Sequence, residues 1–469
     1  MATKPNILIV MTDQQRLDSV GAYGSQYGAT PNLDRLASEG VVFENHYSSC
    51  PLCVPARCSI ATGRHPHSNG AWINAFDPDS SESMGTLAPN ETTLFEVLDR
   101  AGYWQAHIGV DHIRTDPGLL QRVPFAHFVT RDDHEAYLAD QGVDDYDRTP
   151  HQALVAERTH EGVFDCRFSA PWPGVTPYGR EHFQDAFFAR AAVEALQYAP
   201  EDRPWALYCA FWAPHPPFVL PEPYASAYAP GEIELPPNIG VPLHNPRHLE
   251  HLPGAVAAQQ TDPDAWRRTW AAYLGLVKLV DECIGEVLAA AEARPDSDRT
   301  VTLFTVDHGE QLGAQSLFQK MVVYEESVHV PLIVRSPGGA IGRREQLTSH
   351  VDVLPTVLDY AGLEAPAGVQ GISVRATIDD PQTPSRDAVY TEYNGNVGIT
   401  LPQRAVIDGS FALIVTEDSP DELYDLASDP YQLHDLSGQP EYADVEARLR
   451  GLLRDWGQRT CDTILPIIE

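Results

Sequence analysis

Strand-like apolar runs alternate with helical patterns along most of the chain, and this alternation constrains the fold more than any other feature. The strand-like runs are NILIVM (6–11), YWQAHIG (103–109), WALYCAF (205–211), TVTLFTV (300–306) and VPLIVRS (330–336). The patterns between them have apolar residues three to four positions apart, which is typical of amphipathic helices. Helices are predicted at 92–102, 185–199, 265–293 and 351–363. Strands that alternate with helices predict an α/β fold with a mostly parallel sheet.

The character of the sequence changes after about residue 375, where shorter strand-like runs and turns replace the long alternating pattern. We therefore predict a larger α/β domain over residues 1–375 and a smaller α+β subdomain over residues 376–469. The smaller part ends in a helical pattern at 442–457. Residues 113–183 are rich in Asp, Pro and Gly, which favours an insertion over one end of the sheet that shapes a ligand pocket.

The charge of the chain excludes several classes of partner. Its formal net charge is −34, with 32 Lys and Arg against 66 Asp and Glu. Such a field argues against binding nucleic acid or an anionic membrane, although a locally positive site can still bind a small anion. The apolar stretch ILIVM is too short for a signal peptide and no cleavage site follows it, so the expected compartment is the cytoplasm. The chain has seven cysteines, an odd number, and four of them are widely scattered, which argues against a disulfide framework.

Polar side chains follow four of the predicted strands, at the point where each strand ends. They are Asp13 and Gln14 after the first run, His112 after the second, His215 after the third, and Asp307 and His308 after the fourth. Ligands bind beyond the carboxyl ends of strands in open parallel sheets, so these side chains are expected at one edge. Two carboxylates and an amide suit a hard divalent cation, and the histidine favours Mn²⁺ slightly over Ca²⁺ or Mg²⁺. Unrelated polar residues at strand ends remain the alternative.

Three cysteines, Cys50, Cys53 and Cys58, lie within nine residues of one another. No second Cys or His pair lies near them, so a zinc finger is excluded. A thioredoxin-like redox pair would leave Pro55 and Arg57 unexplained. Pro55 suits the first turn of a helix, and a helix starting there would place Cys53 at its positive end.

Arg57 lies four residues after Cys53 and can project from the same helical turn. Its guanidinium offers a bidentate fork to sulfate or phosphate. The pattern SIATG continues the predicted helix to a glycine stop at Gly63. The stretch can therefore present a nucleophile, a guanidinium and a positive helix end to a tetrahedral oxyanion.

This stretch resembles the signature of the sulfatase family. Residues 53–57, Cys-Val-Pro-Ala-Arg, match its pattern Cys-x-Pro-x-Arg, and Thr-Gly-Arg at 62–64 matches the trailing residues. The resemblance covers nearly the whole chain, because further segments resemble the family's metal loops and closing motif in the same order. Those segments are PNILIVMTDQQR (5–16), TPNLDRLASEGVVFENHY (30–47), TVDHGEQLGAQSLFQK (305–320) and ELYDLASDPYQLHDL (422–436). A single short motif would be weak, but this ordered set is specific.

The resemblance implies an alkaline phosphatase-like fold, in which residues 1–375 are the catalytic domain. It also implies that a formylglycine-generating enzyme oxidises Cys53 to formylglycine, an aldehyde that hydrates to a geminal diol. Asp13, Gln14, Asp307 and His308 match the family's metal ligands, and residue 53 completes the set. With the family in view, Ca²⁺ is the expected metal, with Mn²⁺ or Mg²⁺ as alternatives.

The same resemblance implies hydrolysis of a sulfate monoester on a small, anionic substrate. In the family the diol attacks sulfur, forms a covalent sulfate ester and releases sulfate when the aldehyde re-forms. Arg57 would orient the diol, and Lys320 would hold the sulfate oxygens. His215 matches the histidine near the leaving-group oxygen and is a candidate general acid, while His112 would act near the diol. A homo-oligomer is left open.

Two departures from the family pattern keep an alternative reaction open. Val110 stands where the family has the lysine of Gly-Lys-x-His, so one cationic contact on the leaving-group side is missing. The metal pairs read Asp-Gln and Asp-His, which resembles choline-sulfatase-like and phosphonate monoester hydrolase-like members. A phosphonate monoester or phosphodiester hydrolase with the same machinery is therefore the first alternative. A non-catalytic anion-binding protein with an unmodified Cys53 is the second.

Overall fold

The computed structural model describes residues 4–74, 84–159 and 162–463. Its strands, in chain order, are β1 Asn6–Asp13, β2 Val41–Phe43, β3 His46–Tyr47, β4 Trp104–Gly109, β5 His127–Val129, β6 Gln152–Thr159, β7 Gly162–Ser169, β8 Gly174–Val175, β9 Trp205–Pro214, β10 Val219–Leu220, β11 Thr300–Val306, β12 Leu332–Arg335, β13 Gly342–Arg344, β14 Thr348–Ser349, β15 Val389–Tyr393, β16 Gln403–Ile407, β17 Phe411–Thr416 and β18 Glu422–Asp425.

The helices of the described residues, again in chain order, are α1 Pro31–Ser38, α2 Cys53–Thr62, α3 Pro66–Asn69, α4 Leu94–Arg100, α5 Leu119–Arg122, α6 Arg131–Gln141, α7 Gln184–Tyr198, α8 Arg247–His251, α9 Pro253–Gln259, α10 Trp266–Glu292, α11 Glu325–Val328, α12 Val353–Ala361, α13 Arg375–Asp379 and α14 Ala443–Thr460. No helix in this part of the chain combines the length and the apolar character needed to cross a membrane.

A large twisted sheet forms the centre of the protein. Its strand order, over the described residues, is β13-β2-β12-β11-β1-β9-β4-β5. Strand β1 lies between β9 and β11 and is parallel to both, with Ile9 opposite Tyr208 on one side and Leu303 on the other. Only β12 runs antiparallel to its two neighbours, β11 and β2. The prediction of an α/β fold with a mostly parallel sheet is confirmed.

Helices cover both faces of the sheet because its strands are apolar on both faces. In β1, Leu8 and Val10 pack on the side of α1, α7 and α10. Ile7, Ile9 and Met11 pack on the other side, against α2, α4 and α12. Four neighbouring strands of the sheet, β11, β1, β9 and β4, are buried along their whole length or nearly so. The central strands are therefore fixed from both sides, and so are the loops that leave their carboxyl ends.

The C-terminal part forms a second, antiparallel sheet in the order β15-β16-β17-β18. One face of it packs against α14 through Leu449, Leu453 and Trp456. The other face packs against the larger α/β part, where Tyr393 shares a core with Cys50. The predicted smaller α+β subdomain is therefore present as an antiparallel sheet with a helix, while the boundary at residue 375 stays a prediction.

The segment 113–183 contains more regular structure than its composition indicates. Strand β5 extends the main sheet, α6 follows it, and β6 and β7 form a long antiparallel hairpin. Aspartate, proline and glycine mark turns between these elements. The role of this segment in shaping a substrate pocket stays a prediction.

Candidate active site

Four buried side chains meet beyond the carboxyl ends of β1 and β11. The two strands are parallel and in register, with Thr12 opposite Val306, so the residues that follow lie side by side. One ligand atom each of Asp13, Cys53, Asp307 and His308 lies within 4.8 Å of the other three. This arrangement brings a thiol, two carboxylates and an imidazole to one point at the edge of the sheet.

Helix α2 carries Cys53 to this point. Cys53 is its first residue, and the backbone N–H of Val54 donates to Asn74 Oδ1 at 3.0 Å. All ten residues of α2 are buried. Gly63 ends the helix in a left-handed conformation with φ 67°, which glycine adopts without strain. The sequence pattern predicted both this helix and its stop, but not Asn74.

Arg57 joins the two carboxylates. Its Nε donates to Asp307 Oδ2 and its Nη2 donates to Asp13 Oδ2, both at 2.9 Å, and all three side chains are fully buried. Burial and the neighbouring Asp307 charge raise the pKa of Asp13 to about 7. Burial opposes ionisation of Asp307 as well, but His308 and Arg57 hold its pKa below the usual range. The pair would therefore favour one more positive charge nearby.

His308 presents a free nitrogen to the centre. Its Nδ1 lies 3.0 Å from the carbonyl oxygen of Gly309, and donation there leaves the Nε2 lone pair facing Cys53 Sγ at 3.2 Å. Burial lowers the pKa of His308 to about 3, so the imidazole is neutral and can act as a ligand. A Cβ on Gly309 would lie 1.9 Å from the carbonyl oxygen of Glu326, so only glycine lets this loop pass so close.

Lys320 and Gln14 also contact this centre. Lys320 Nζ donates to Gln14 Oε1 at 2.8 Å and to Cys53 Sγ at 3.0 Å. The Gln14 amide nitrogen donates to Glu310, which also accepts from the backbone N–H of Leu312 at 2.9 Å. Glu310 therefore orients Gln14 and ties down the loop that leads to Lys320. Sequence reasoning missed Glu310, although it lies three residues after Asp307 in the same loop.

The thiol of Cys53 is a weak nucleophile in these surroundings. Burial and the Asp13 charge raise its pKa to about 12, and the Lys320 charge only partly opposes them. The thiolate is the reactive form of cysteine, and it is scarce at neutral pH when the pKa is this high. Nucleophilic chemistry at this position therefore needs something other than the plain thiol.

Two half-buried histidines and a tryptophan border the centre. The rings of Trp212 and His215 are 4.1 Å apart, and the ring of Trp212 is 6.2 Å from that of His112. His215 Nδ1 lies 2.5 Å from the Pro216 carbonyl oxygen, so Nε2 is the ring nitrogen left for another partner. Burial and the Lys320 charge hold the pKa of His215 well below its usual range. Trp212 was not predicted, because a tryptophan at a strand end is typical of core packing.

Comparisons with known proteins agree with this geometry. The family described as Sulfatase matches residues 5–363, and the family described as N-sulphoglucosamine sulphohydrolase, C-terminal, matches residues 313–459. The choline-sulfatase of Rhizobium meliloti (strain 1021) is 30% identical over 93% of this chain and 83% of its own. The multifunctional alkaline phosphatase superfamily protein PehA of Trinickia caryophylli is 28% identical over 97% of this chain and 94% of its own.

A solved structure shows the same fold. The phosphonate monoester hydrolase of Silicibacter pomeroyi superposes with a TM-score of 0.79 at 24% identity, covering 98% of this chain and 97% of its own. The fold is thus that of the alkaline phosphatase superfamily. Together with the family match over most of the sequence, these similarities establish that the chain belongs to the sulfatase family and is a sulfuric ester hydrolase.

Proposed function

We propose that this protein hydrolyses the sulfate monoester of a small substrate through a formylglycine formed from Cys53, with one divalent metal beside it. The metal would be held by Asp13, Gln14, Asp307, His308 and residue 53. The observation that carries the proposal is the set of four ligand atoms, the Cys53 sulfur among them, that lie within 4.8 Å of one another. This donor set has the composition and spacing that a hard or borderline divalent cation requires.

The charges of the centre support a metal there. With both carboxylates ionised, as metal binding requires, Asp13 and Asp307 are balanced by Arg57 and Lys320, so the four groups together carry no net charge. A divalent cation would make the centre positive within a protein of net charge −34, and a sulfate ester could then enter. When bound, the metal lowers the pKa of a hydroxyl on residue 53 and polarises the sulfate. Three oxygen-donor side chains favour Ca²⁺, with Mn²⁺ or Mg²⁺ as alternatives because of the histidine.

The surroundings of Cys53 support its conversion to formylglycine. The plain thiol is protonated in these surroundings, whereas hydrated formylglycine supplies one hydroxyl to attack sulfur and a second to release sulfate. Residue 53 is 2% exposed and begins a fully buried helix, so a formylglycine-generating enzyme would have to act before the chain folds.

The remaining side chains have distinct roles in this proposal. Arg57 fixes both carboxylates and thereby the position of the metal ligands, since each of its hydrogen bonds is 2.9 Å long. Lys320 Nζ, 3.0 Å from the sulfur of residue 53, offsets the negative charge of the sulfate oxygens. His215 is the candidate general acid for the leaving alcohol oxygen. Its pKa lies below the usual range, so it would take up the proton at Nε2 when the anionic sulfate ester binds nearby and raises that pKa. His112 would act near the diol of residue 53.

The test combines mass spectrometry with activity on one preparation. The tryptic peptide that contains residue 53 should have the mass of formylglycine, and the protein should hydrolyse 4-nitrophenyl sulfate. A chelator should abolish the activity, and Ca²⁺ or Mn²⁺ should restore it. A cysteine mass at position 53 in fully active protein would sink the proposal. Protein from a host without the modifying enzyme should be inactive until converted, which serves as the matched control.

A phosphonate monoester or phosphodiester substrate is the second candidate, and one observation favours it. Val110 is 6% exposed and packs in an apolar core, so position 110 supplies no cation on the leaving-group side. Measuring kcat/KM for an aryl sulfate and an aryl phosphonate monoester on the same converted protein separates the two. The proposal of a sulfatase predicts the larger value for the sulfate, and the second candidate predicts the reverse.

A further inference from the structure

We infer that Asp185 is a positioning residue that holds the general acid candidate His215 in place through the backbone of Trp212 and Ala213. The inference rests on the proposed function, because it assigns His215 the role of proton donor. Asp185 is the second residue of α7 and is fully buried. Its Oδ1 accepts from the backbone N–H of Trp212 at 2.7 Å and from that of Ala213 at 3.1 Å.

These two N–H groups have left the sheet. Strand β9 pairs regularly with β1 up to Ala210, and the register then shifts before Pro214 pairs with Asp13. Pairing of β9 with β4 also ends at Ala210. Buried N–H groups that leave a ladder need another acceptor, and Asp185 is that acceptor for Trp212 and Ala213.

The same stretch of backbone is tied to His215. The backbone N–H of His215 donates to the carbonyl oxygen of Trp212 at 3.0 Å, which closes a tight turn. The rings of Trp212 and His215 lie 4.1 Å apart, so the turn sets both side chains together. A chain of contacts therefore runs from the Asp185 carboxylate through residues 212–213 to the imidazole.

Asp185 acts through the protein and does not touch the substrate. Its side chain is fully buried, and its Oδ1 is occupied by the backbone N–H groups of Trp212 and Ala213. The effect of Asp185 on the reaction therefore has to pass through the position of His215.

The test compares two sulfate esters that differ in their leaving groups. Alkyl sulfates have a poor leaving group that needs a proton, whereas 4-nitrophenyl sulfate has a good one that does not. In Asp185→Leu, which has no acceptor, kcat for an alkyl sulfate should fall about 100-fold. The same variant should lose less than about threefold with 4-nitrophenyl sulfate, because chemistry at residue 53 is untouched. Asp185→Asn keeps an acceptor oxygen and should restore most of the activity on both substrates.

The chain offers a matched control in Asp281 on α10. It is also a buried carboxylate that accepts from two consecutive backbone N–H groups, of Asn32 at 3.0 Å and Leu33 at 2.9 Å. Its partners begin α1 and none belongs to the centre around Cys53. Asp281→Leu should destabilise the protein to a similar extent as Asp185→Leu, but without discriminating between the two substrates.

Equal losses on both substrates in Asp185→Leu, as for Asp281→Leu, would overturn the inference. If Asp185→Leu does not fold, Asp185→Ala is measured in its place, alone and combined with His215→Ala. The leaving-group effect of Asp185→Ala should vanish when His215 is absent, and its persistence would overturn the inference. Failure of the proposed function is distinguishable, since wild-type protein carrying formylglycine would then show no sulfate ester hydrolysis at all.

Discussion

The protein contains two buried ionic clusters with similar side chains. They differ in how completely their carboxylate oxygens are occupied by hydrogen bonds from the protein. The nucleophile cluster comprises Asp13, Asp307, Arg57 and Lys320 around Cys53. The joint cluster comprises His67, Glu392, Arg404 and Asp462, where the C-terminal sheet meets the catalytic part. In both clusters a carboxylate pair is combined with basic side chains. Each also offers a set of possible metal-ligand atoms within 4.8 Å of one another, from Asp13, Cys53, Asp307 and His308 in the first and from His67, Glu392 and Asp462 in the second.

The two carboxylates of the joint cluster are saturated by protein donors, because both oxygens of each accept a hydrogen bond. Glu392 accepts from the backbone N–H of His67 at 2.7 Å with one oxygen and from His67 Nδ1 with the other. Asp462 accepts from Arg404 Nε at 2.6 Å and from its Nη2 at 3.1 Å. In the nucleophile cluster, by contrast, Asp13 accepts from Arg57 Nη2 with Oδ2, while its Oδ1 accepts only a long contact, from the Cys53 thiol at 3.7 Å, among the hydrogen bonds of the described residues. The incompletely hydrogen-bonded carboxylate of Asp13, and not the residue types, therefore distinguishes the nucleophile cluster from the joint cluster.

Removing the side chain of residue 53 from the nucleophile cluster should have the largest effect. We expect Cys53→Ala to lower kcat/KM by about 10⁴-fold or more, because a covalent nucleophile is lost. Circular dichroism and thermal unfolding should be close to those of the wild type, since the change removes one sulfur. Substantial residual turnover by the alanine variant would contradict the assignment of residue 53.

Metal content should separate the two clusters next. Asp13→Asn should lose bound metal and more than about 100-fold in activity, because an oxygen that faces the open position is neutralised. The Asp462→Asn variant should keep the metal at the nucleophile cluster, since both oxygens of Asp462 already accept hydrogen bonds from Arg404. Inductively coupled plasma mass spectrometry on the purified proteins measures the stoichiometry. Equal metal loss in both variants would mean that the joint cluster is also a metal site.

Breaking the saturated cluster should reduce stability while sparing chemistry. Arg404→Met leaves a buried carboxylate without its partner and should lower the free energy of unfolding by about 3–5 kcal/mol. The kcat of the folded fraction should stay within a few-fold of the wild type. Arg448→Met is the control, because the pair of Arg448 with Asp408 has an arginine side chain that is 49% exposed, and such pairs contribute about 1 kcal/mol or less. Similar losses in the two variants would argue against a saturated cluster.

The smallest expected effect is a pH dependence of the free energy of unfolding that arises from Glu392. Burial opposes its ionisation, but His67 and Arg404 lower its pKa to about 2, below the ordinary value of 4.5. A lowered carboxyl pKa stabilises the fold above pH 4.5, and this contribution is lost as the pH falls towards 2. The stability advantage of wild type over Glu392→Gln should shrink by about 1 kcal/mol between pH 5 and pH 3.5. Urea unfolding at both pH values measures it, and a constant difference would contradict the lowered pKa.

The sequence predicted the elements that depend on local pattern. Apolar runs identified the central strands, and Pro55 with Gly63 identified α2, because these signals lie within a few residues of each other. The direction of β12 was not predictable, since a short buried run reads the same in either direction. The strand-end rule pointed to Asp13 and Asp307, but their chemical roles came from the resemblance to a family.

The residues that sequence reasoning missed act through distant partners. Glu392 and Asp462 meet side chains that are 325 and 58 positions away, and Asp185 binds a backbone 27 positions away. Spacing along a single chain contains no signal for such contacts. Glu310 is different, because its place in the loop after Asp307 could have drawn attention to it.

Helix α2 connects the two clusters physically. Cys53 is its first residue, and His67 lies five residues beyond its last. At 1.5 Å per residue, its ten residues form a rod about 15 Å long. All of them are buried, so the rod cannot tilt without opening the surrounding core. The C-terminal sheet is therefore part of the mechanical support of the nucleophile. A proteolytic cut that released this sheet would abolish activity, although it would change no residue that contacts the substrate.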